Sequence, residues 1–580
     1  MGRVVSSVVG SVVGRSAIVL AVLLVSWTWG TLPPRTLPAT VETPSSPGRL
    51  QTIRGALHAH TTRSDGLLPP DDVARAAGRA GLHFVVLADH GDGTRSPVAP
   101  HYVDGVLVLD GVEVSTASGH YIAVDLPRTP YPLGGDAAGV IEDVRRLGGF
   151  GIVAHPASPA PNLAWRQQQG LEGGVDGVEW LNADSAWRTN SLGRLFARVG
   201  AYLLRPKETV ASLIDRPTAA LAKWDEATRS HRVVGVAGTD AHGPIDYETL
   251  FRTFSVHAEL AGSLTGDPAQ DATRLMDSLR AGHVFTAIDA IASPATLKFE
   301  AVSRTTTHRM GQRVPAEAAR GIEFRATVSS VPGVRLVLIA DGESVFSVAG
   351  PELRYRPQSR RAAVYRVEAR IARQTISGSA EPQVLWMASN PIYVGGSRGP
   401  LSRIAQSPRS LADVRALHKT KDGSTIAVGE SSPWLPEHDP QTSVSVGYES
   451  GELLFSYALS VDRSFPDAYA AVSHRLPSGL LINFDAISFS VSADRPVRIS
   501  GQLRDGKRSG EPRWRTSFWA NTSPRKVTIP FSEMQAVGPG QTVAPSRSRI
   551  DSILFVADLV NSRHGDEAVV RFADLQLERW

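Results

Sequence analysis

From Thr52 to about Ile288, short apolar segments alternate with stretches of helical spacing, and this alternation constrains the fold more than any other feature of the chain. "IRGALHAH", "HFVVLADH", "VLVLDGVEVS", "HYIAVDLP", "FGIVAHP", "VDGVEWLN" and "RVVGVAGTDAH" read as buried strands of a parallel sheet. Between them, "PPDDVARAAGRAG" and "DAAGVIEDVRRLGG" open on Pro or Asp and close on Gly, the punctuation of helices. An insertion from about Arg188 to Ser230 reads as two or three further helices. Repeated β/α units predict an α/β barrel over residues 51–290, with the side chains at its C-terminal strand ends converging on one site.

After about Ile291 the pattern changes. Alternating apolar and polar residues with turn residues between them predict an antiparallel β-sandwich over 291–398. Residues 399–440, rich in Ser, Pro and basic residues, read as a linker, and evenly spaced strands over 441–580 predict a second sandwich of jelly-roll type. A chain of 580 residues is too long for one core, in keeping with several domains. Residues 1–50 read as a signal peptide or signal-anchor and linker, with Arg3 and Arg15 ahead of an apolar run from Ala17 to about Leu32. The run is short for a membrane span of about 20 residues. No clear A-x-A cleavage site follows it, so export with retention as an anchor is favoured slightly over secretion after cleavage. A net charge of +4 without a long basic run argues against a nucleic-acid partner. The absence of cysteine excludes disulfides and thiolate metal sites.

The strand ends carry a consistent set of groups: His58 and His60 with Asp65, then Asp89-His90, Glu113 with His120, His155 in Ala-His-Pro, and Asp240-Ala-His242. In an H-x-H on a strand both imidazoles lie on one face, because the side-chain period is two. Imidazole with carboxylate suits Zn, Mn or Fe, and a carboxylate can bridge two ions that share an activated water. Six of the chain's sixteen histidines fall at these positions. That concentration points to a multinuclear metal site rather than to scattered structural histidines such as His83, His101 and His231.

The order HxH, SDG, DH, GxE, GH, AHP and DxH resembles the polymerase and histidinol phosphatase (PHP) superfamily over roughly residues 52–288. The resemblance implies a distorted (β/α)7 barrel holding two to three divalent ions. By that resemblance His58, His60, Glu113 and Asp240 hold one ion, Asp65, His90 and His242 a second, and His120 and His155 a third, with Glu113 bridging. "LMDSLRAGHVFTA" and the later "WMASNPIYVGG" look most like the exported carbaryl-hydrolase-type branch. The C-terminal sandwich resembles carbohydrate- or galactose-binding-like modules in strand pattern.

The expected chemistry is hydrolysis of a small-molecule phosphomonoester or phosphodiester by a metal-held hydroxide, with no serine or cysteine nucleophile. Asp240 would orient the nucleophile or take its proton, and His242 or His155 would protonate the leaving group. Arg63, Arg166, Asn182 and Arg188, with Asp184, lie near predicted strand ends as candidate substrate contacts, the arginines suiting phosphate. Glu179 reads as part of the strand wall, and Trp165, Trp180 and Trp187 as packing or an aromatic wall. Hydrolysis of a carboxyl or carbamate ester at the same site is the first alternative. The second is a non-catalytic cell-surface glycan-binding protein, with Trp514, Trp519 and Tyr469 as candidate sugar platforms, although sandwich core is the commoner use of such residues.

Overall fold

The computed structural model describes residues 22, 25–41, 50–166, 174–319, 321–358, 363–372, 383–395, 422–426, 433–506, 512–537 and 544–580. The chain divides into two compact units. Residues 1–90, 98–112 and 150–402 form the first, and residues 91–97, 113–149 and 403–580 the second.

In the first unit the elements follow the order β1 (Gln51–Ala59), α1 (Pro70–Arg79), β2 (Phe84–Leu87), β3 (Val106–Asp110), β4 (Phe150–Val153), β5 (Gly177–Asn182), α2 (Ala183–Arg188), α3 (Leu192–Leu204), α4 (Pro206–Leu213), α5 (Thr218–Ser230), β6 (Val234–Ala241), α6 (Tyr247–Thr253), β7 (Ser255–Leu260), α7 (Pro268–Ala281) and β8 (Val284–Ala287). Parallel pairing runs β3-β2-β1-β6-β5-β4, giving a mixed α/β architecture. Strands β2, β4, β5 and β6 are buried along their whole length, which is why they read as unbroken apolar runs rather than alternating ones. β7 pairs antiparallel with the first half of β1, and β8 pairs with β7.

The helix punctuation has visible causes. Pro70 starts α1, with Asp71 and Asp72 in the first turn and Arg79 in the last, each favourably placed against the helix dipole. Asp246 and Asp267 cap α6 and α7 through the amides of Thr249 and Gln270. α7 stops at Gly282, whose φ of 70° suits glycine. Four helices, α2 to α5, lie between β5 and β6, the last three within the segment read as an insertion. β8 also pairs with Val384–Ser389, so the sheet runs on into the antiparallel strands that follow.

The second unit holds two six-stranded sheets whose pairings are antiparallel. One is built on Glu567–Arg579 between Glu452–Ala458 and Ala486–Ala493, the other on Ser552–Asp558 between Tyr469–Arg475 and Val497–Arg504. Phe455, Phe489, Phe518, Phe555 and Phe572 form its aromatic core, with Phe555 stacked on Phe572 at 4.1 Å. Within this unit the helix Ala137–Arg146 is tied to the strand Val497–Arg504. The buried Arg498 guanidinium donates to Asp143 at 2.9 Å and to Glu142 at 3.1 Å.

Two stretches differ from the expectation. Asp422–Thr425 and Leu435–His438, inside the segment read as linker, are strands paired to Gln576–Arg579 and Ala470–Ser473. The flanking Ile426 and Trp434 join the core, which anchors strands that Ser- and Pro-rich surroundings conceal. The apolar run from Ala17 lies largely outside the described residues, and its described end, 25–31, is helical. Among the described residues no helix is long and apolar enough to cross a membrane.

Candidate metal centre

His58, His60, His155, Asp240 and His242 meet at the C-terminal ends of β1, β4 and β6. Regular alternation is not what joins the first two. β1 is bulged at His58, where its register shifts against both neighbours, and His58 takes a φ of 62°. His155 and Asp240 are also left-handed, at 31° and 48°. Three non-glycine residues forced into this region at one spot mark stored strain, which surrounding bonds must hold. They do: Thr239 Oγ1 donates to the His58 carbonyl at 2.7 Å, and the His60 amide donates to the Ala241 carbonyl at 3.0 Å. A bulge of this kind re-aims side chains beside a site.

The resulting donors lie close together. His58 Nε2 is 3.0 Å from His60 Nε2, and Asp240 Oδ1 is 3.2 and 3.3 Å from these two nitrogens. His60 also faces a second group through Nδ1, 3.2 Å from Asp65 Oδ1. Asp65 Oδ2 lies 3.5 Å from His90 Nε2 and 3.4 Å from His242 Nε2, and the His242 ring stacks on His60 at 4.1 Å. One ligand atom from each of His60, Asp65, His90 and His242 falls within 4.8 Å of the others, a grouping compatible with a metal ion.

The donor set fits such an ion. With metal–nitrogen bonds of about 2.0–2.1 Å, neighbouring ligands of one ion stand roughly 3–3.4 Å apart, the spacing of His58, His60 and Asp240. His58 Nδ1 lies 2.8 Å from Glu179 Oε1. With its proton there, Nε2 is left as the electron-pair donor, the tautomer a ligand needs. His155 is arranged the same way, with Nδ1 3.1 Å from the Leu163 carbonyl.

Glu179 is the residue that sequence reading set aside. Buried in β5, its carboxylate takes His58 Nδ1 on one oxygen, and on the other the His155 amide at 2.8 Å and Asn182 Nδ2 at 2.9 Å. Gly238 opposite leaves the space: a Cβ there would stand 1.7 Å from Glu179 Oε1. Asp89, which the sequence places at a strand end without a role, gains one here. It accepts the Thr61 amide and hydroxyl and the Ser64 hydroxyl at 2.7–2.8 Å, fixing the loop that carries Asp65. Tyr247 donates to the His60 carbonyl, and Lys223 ties down the carbonyls of Pro156 and Trp165 beside His155. An acid in the middle of an apolar strand was the available signal for Glu179.

The candidate substrate contacts separate. Asn182 is buried against Glu179 and Asp240 while capping α2, so its amide serves the cluster itself. Arg63 pairs with Asp110 at 3.0 Å, and Arg166 turns back onto the Pro161 carbonyl. Arg188 bonds Asp184; that bond, with a smaller contribution from the charge of Asp240, raises its pKa. Trp165 and Trp180 are buried packing, and Trp187 is partly exposed.

In the second unit, Glu113 is buried on Val112–Thr116 and accepts from or faces His120 Nδ1 at 3.0 Å. The structure places Trp514, Trp519 and Tyr469 as packing rather than as sugar platforms. Trp514 is core, and Trp519 is covered by the guanidinium groups of Arg525 and Arg146 at 4.0 and 4.5 Å. Tyr469 packs beside Ala471, Leu554 and Val556.

No protein-family model matches the chain. Over 145 residues it is 28% identical to an uncharacterized protein of Methanocaldococcus jannaschii, spanning 23% of this chain and 82% of that one. Among solved structures it is similar to a two-domain protein of Bacteroides vulgatus containing a predicted PHP-like metal-dependent phosphoesterase, at 15% identity over 61% of this chain and 100% of that one, with a TM-score of 0.30. It is also similar to the family 11 carbohydrate-binding module of a cellulosomal cellulase of Clostridium thermocellum, at 20% identity over 27% of this chain and 94% of that one, with a TM-score of 0.23.

Proposed function

We propose that this chain is a metal-dependent phosphoesterase of PHP type, its first β/α segment forming a distorted (β/α)7 barrel. The observation that carries the reading is the convergence of His58, His60 and Asp240 beside the group of Asp65, His90 and His242. Two to three divalent ions, of Zn, Mn or Fe, would be held by these residues and His155. The assignment of Glu113 and His120 to the same centre rests on the sequence resemblance. When bound, such ions lower the pKa of water toward about 7 and neutralise charge developing on an ester oxygen.

The protein groups supply the rest. Glu179 holds the His58 ring in the ligating tautomer, and Asn182 orients Asp240. Asp240 would take the proton of the attacking water and return it to the leaving group, whereas His155 and His242, whose Nδ1 atoms face the Leu163 and Asp240 carbonyls, suit the role of ligands rather than that of the acid the sequence suggested. Arg188, paired with Asp184 on the helix that Asn182 caps, is the cation we assign to the substrate phosphate. The domain limits of 51–290, 291–398 and 441–580, the carbaryl-hydrolase-type branch, and export with an N-terminal anchor belong to the same proposal.

The test is turnover by the full chain, loaded with Mn or Zn, of chromogenic phosphomonoester, phosphodiester and aryl carboxyl-ester substrates. Phosphoester turnover lost in Asp240→Ala supports the reading. Turnover of the carboxyl ester alone moves the assignment to the carboxylesterase alternative.

A further inference from the structure

Helix α3 has its apolar pattern inside out. A helix of a soluble domain turns its large apolar side chains to the core, yet the buried position of α3 is Ala201. Leu192, Phe196, Val199 and Leu203, spaced four, three and four residues apart, form one stripe that is 59–80% exposed. Leu204 beside them is 62% exposed. The stripe stands proud along a helix about 20 Å long.

A second apolar element adjoins it. Arg198 and Arg205 donate to the carbonyls of Thr31 and Pro33. Thr28 approaches Gly200 so closely that a Cβ there would meet its hydroxyl at 2.4 Å. This fixes helix 25–31 against α3, and its Val25, Trp27 and Trp29 are also largely exposed. The sequence running into that helix, Ala17–Leu24, is wholly apolar and uncharged. α3 itself carries Arg194, paired with Asp215 at 2.6 Å, and Arg198, with no acidic residue of its own, and Arg205 and Lys207 follow at its end.

We infer that the outer face of α3, with Trp27 and Trp29, lies on the surface of a lipid bilayer. Apolar stripe, flanking arginines and interfacial tryptophans are the composition of a helix seated at the headgroup boundary. The apolar, uncharged sequence 17–24 that leads into helix 25–31 selects a bilayer over a protein groove, because a bilayer suits an apolar segment and an apolar helix face alike. The inference is independent of the metal centre. It extends the N-terminal anchor reading, since it makes the folded unit itself a membrane-contacting body.

The cysteine-free chain allows a direct test. Phe196→Cys, Leu203→Cys and, as control, the exposed Ala219→Cys are each labelled with an environment-sensitive fluorophore in the full chain. Each is then mixed with phosphatidylcholine vesicles containing 30 mol% phosphatidylglycerol, with and without brominated acyl chains. The expected result is a blue shift and bromine quenching at 196 and 203, with neither at 219. In addition, Phe196→Glu with Leu203→Glu lowers vesicle partitioning roughly tenfold while leaving the thermal unfolding midpoint unchanged. If the chain sediments with vesicles but labels 196 and 203 stay wet, the anchor holds and the inference fails. If those labels blue-shift with protein concentration and no lipid, the face covers a second copy and the inference fails as well.

Discussion

The Nδ1 of His58 lies 2.8 Å from Oε1 of Glu179, and this contact sets which ring nitrogen faces Asp240. Glu179 thereby acts on the centre without belonging to the ligand set. Glu179→Ala is expected to weaken metal binding roughly 10–100-fold, the usual effect of removing a histidine's orienting partner. It also strips a partner from the buried His155 amide and costs about 1–3 kcal/mol of stability. Glu179→Gln, which keeps an acceptor, should lose less of both. Calorimetric titration with Mn or Zn, beside urea unfolding, measures the two effects separately.

Gly238 is the space into which that carboxylate fits. Gly238→Ala drives Glu179 off His58 and should reproduce the metal-binding defect of Glu179→Ala, with overpacking adding about 1–3 kcal/mol of destabilisation. A variant that binds metal as the parent does would show that the carboxylate is dispensable.

The second unit depends on Arg498, whose guanidinium is buried between Asp143, Glu142 and Ser517. Arg498→Met leaves the carboxylate of Asp143 buried with fewer partners and should destabilise the chain by about 3 kcal/mol. Thermal unfolding followed by near-ultraviolet dichroism checks this.

Glu368 gives the stability a defined acid dependence. Burial opposes its ionisation, but the charges of Arg366, Arg370 and Arg216, with the Arg366 hydrogen bond, outweigh it and hold its pKa at about 2. A carboxylate with a depressed folded pKa stabilises above its unfolded pKa, and the contribution is lost as pH falls through the folded value. Stability should therefore drop between about pH 4.5 and 2, by on the order of 3 kcal/mol from this group. Glu368→Gln should be less stable at neutral pH and lack this part of the slope in urea titrations.

Much of the centre was legible because histidines and acids interrupt apolar strands, where an unpaired polar group is costly and so has a purpose. The same logic applied to Glu179, but its partners come from β1, β4 and the end of β5, and one strand's sequence does not reveal them. The backbone of His58, His155 and Asp240 was not legible at all. His and Asp tolerate positive φ better than most residues, but nothing in the sequence marks these three for it, and bonds such as Thr239 to His58 hold it in place. The cover over Trp519 was hidden in the same way. Arg146, which covers it, lies more than three hundred residues away in sequence.

The central claim is that His58, His60, Asp65, His90, His155, Asp240 and His242 form a metal centre on which hydrolysis depends. The most direct measurement is titration of the chelator-stripped full chain with Mn or Zn, following bound metal and phosphoester turnover in the same samples. The account predicts saturable binding of at least two ions, turnover that rises with occupancy, and loss of both in Asp240→Ala. A parent chain that binds no ion, or turnover indifferent to occupancy and to Asp240, would contradict it.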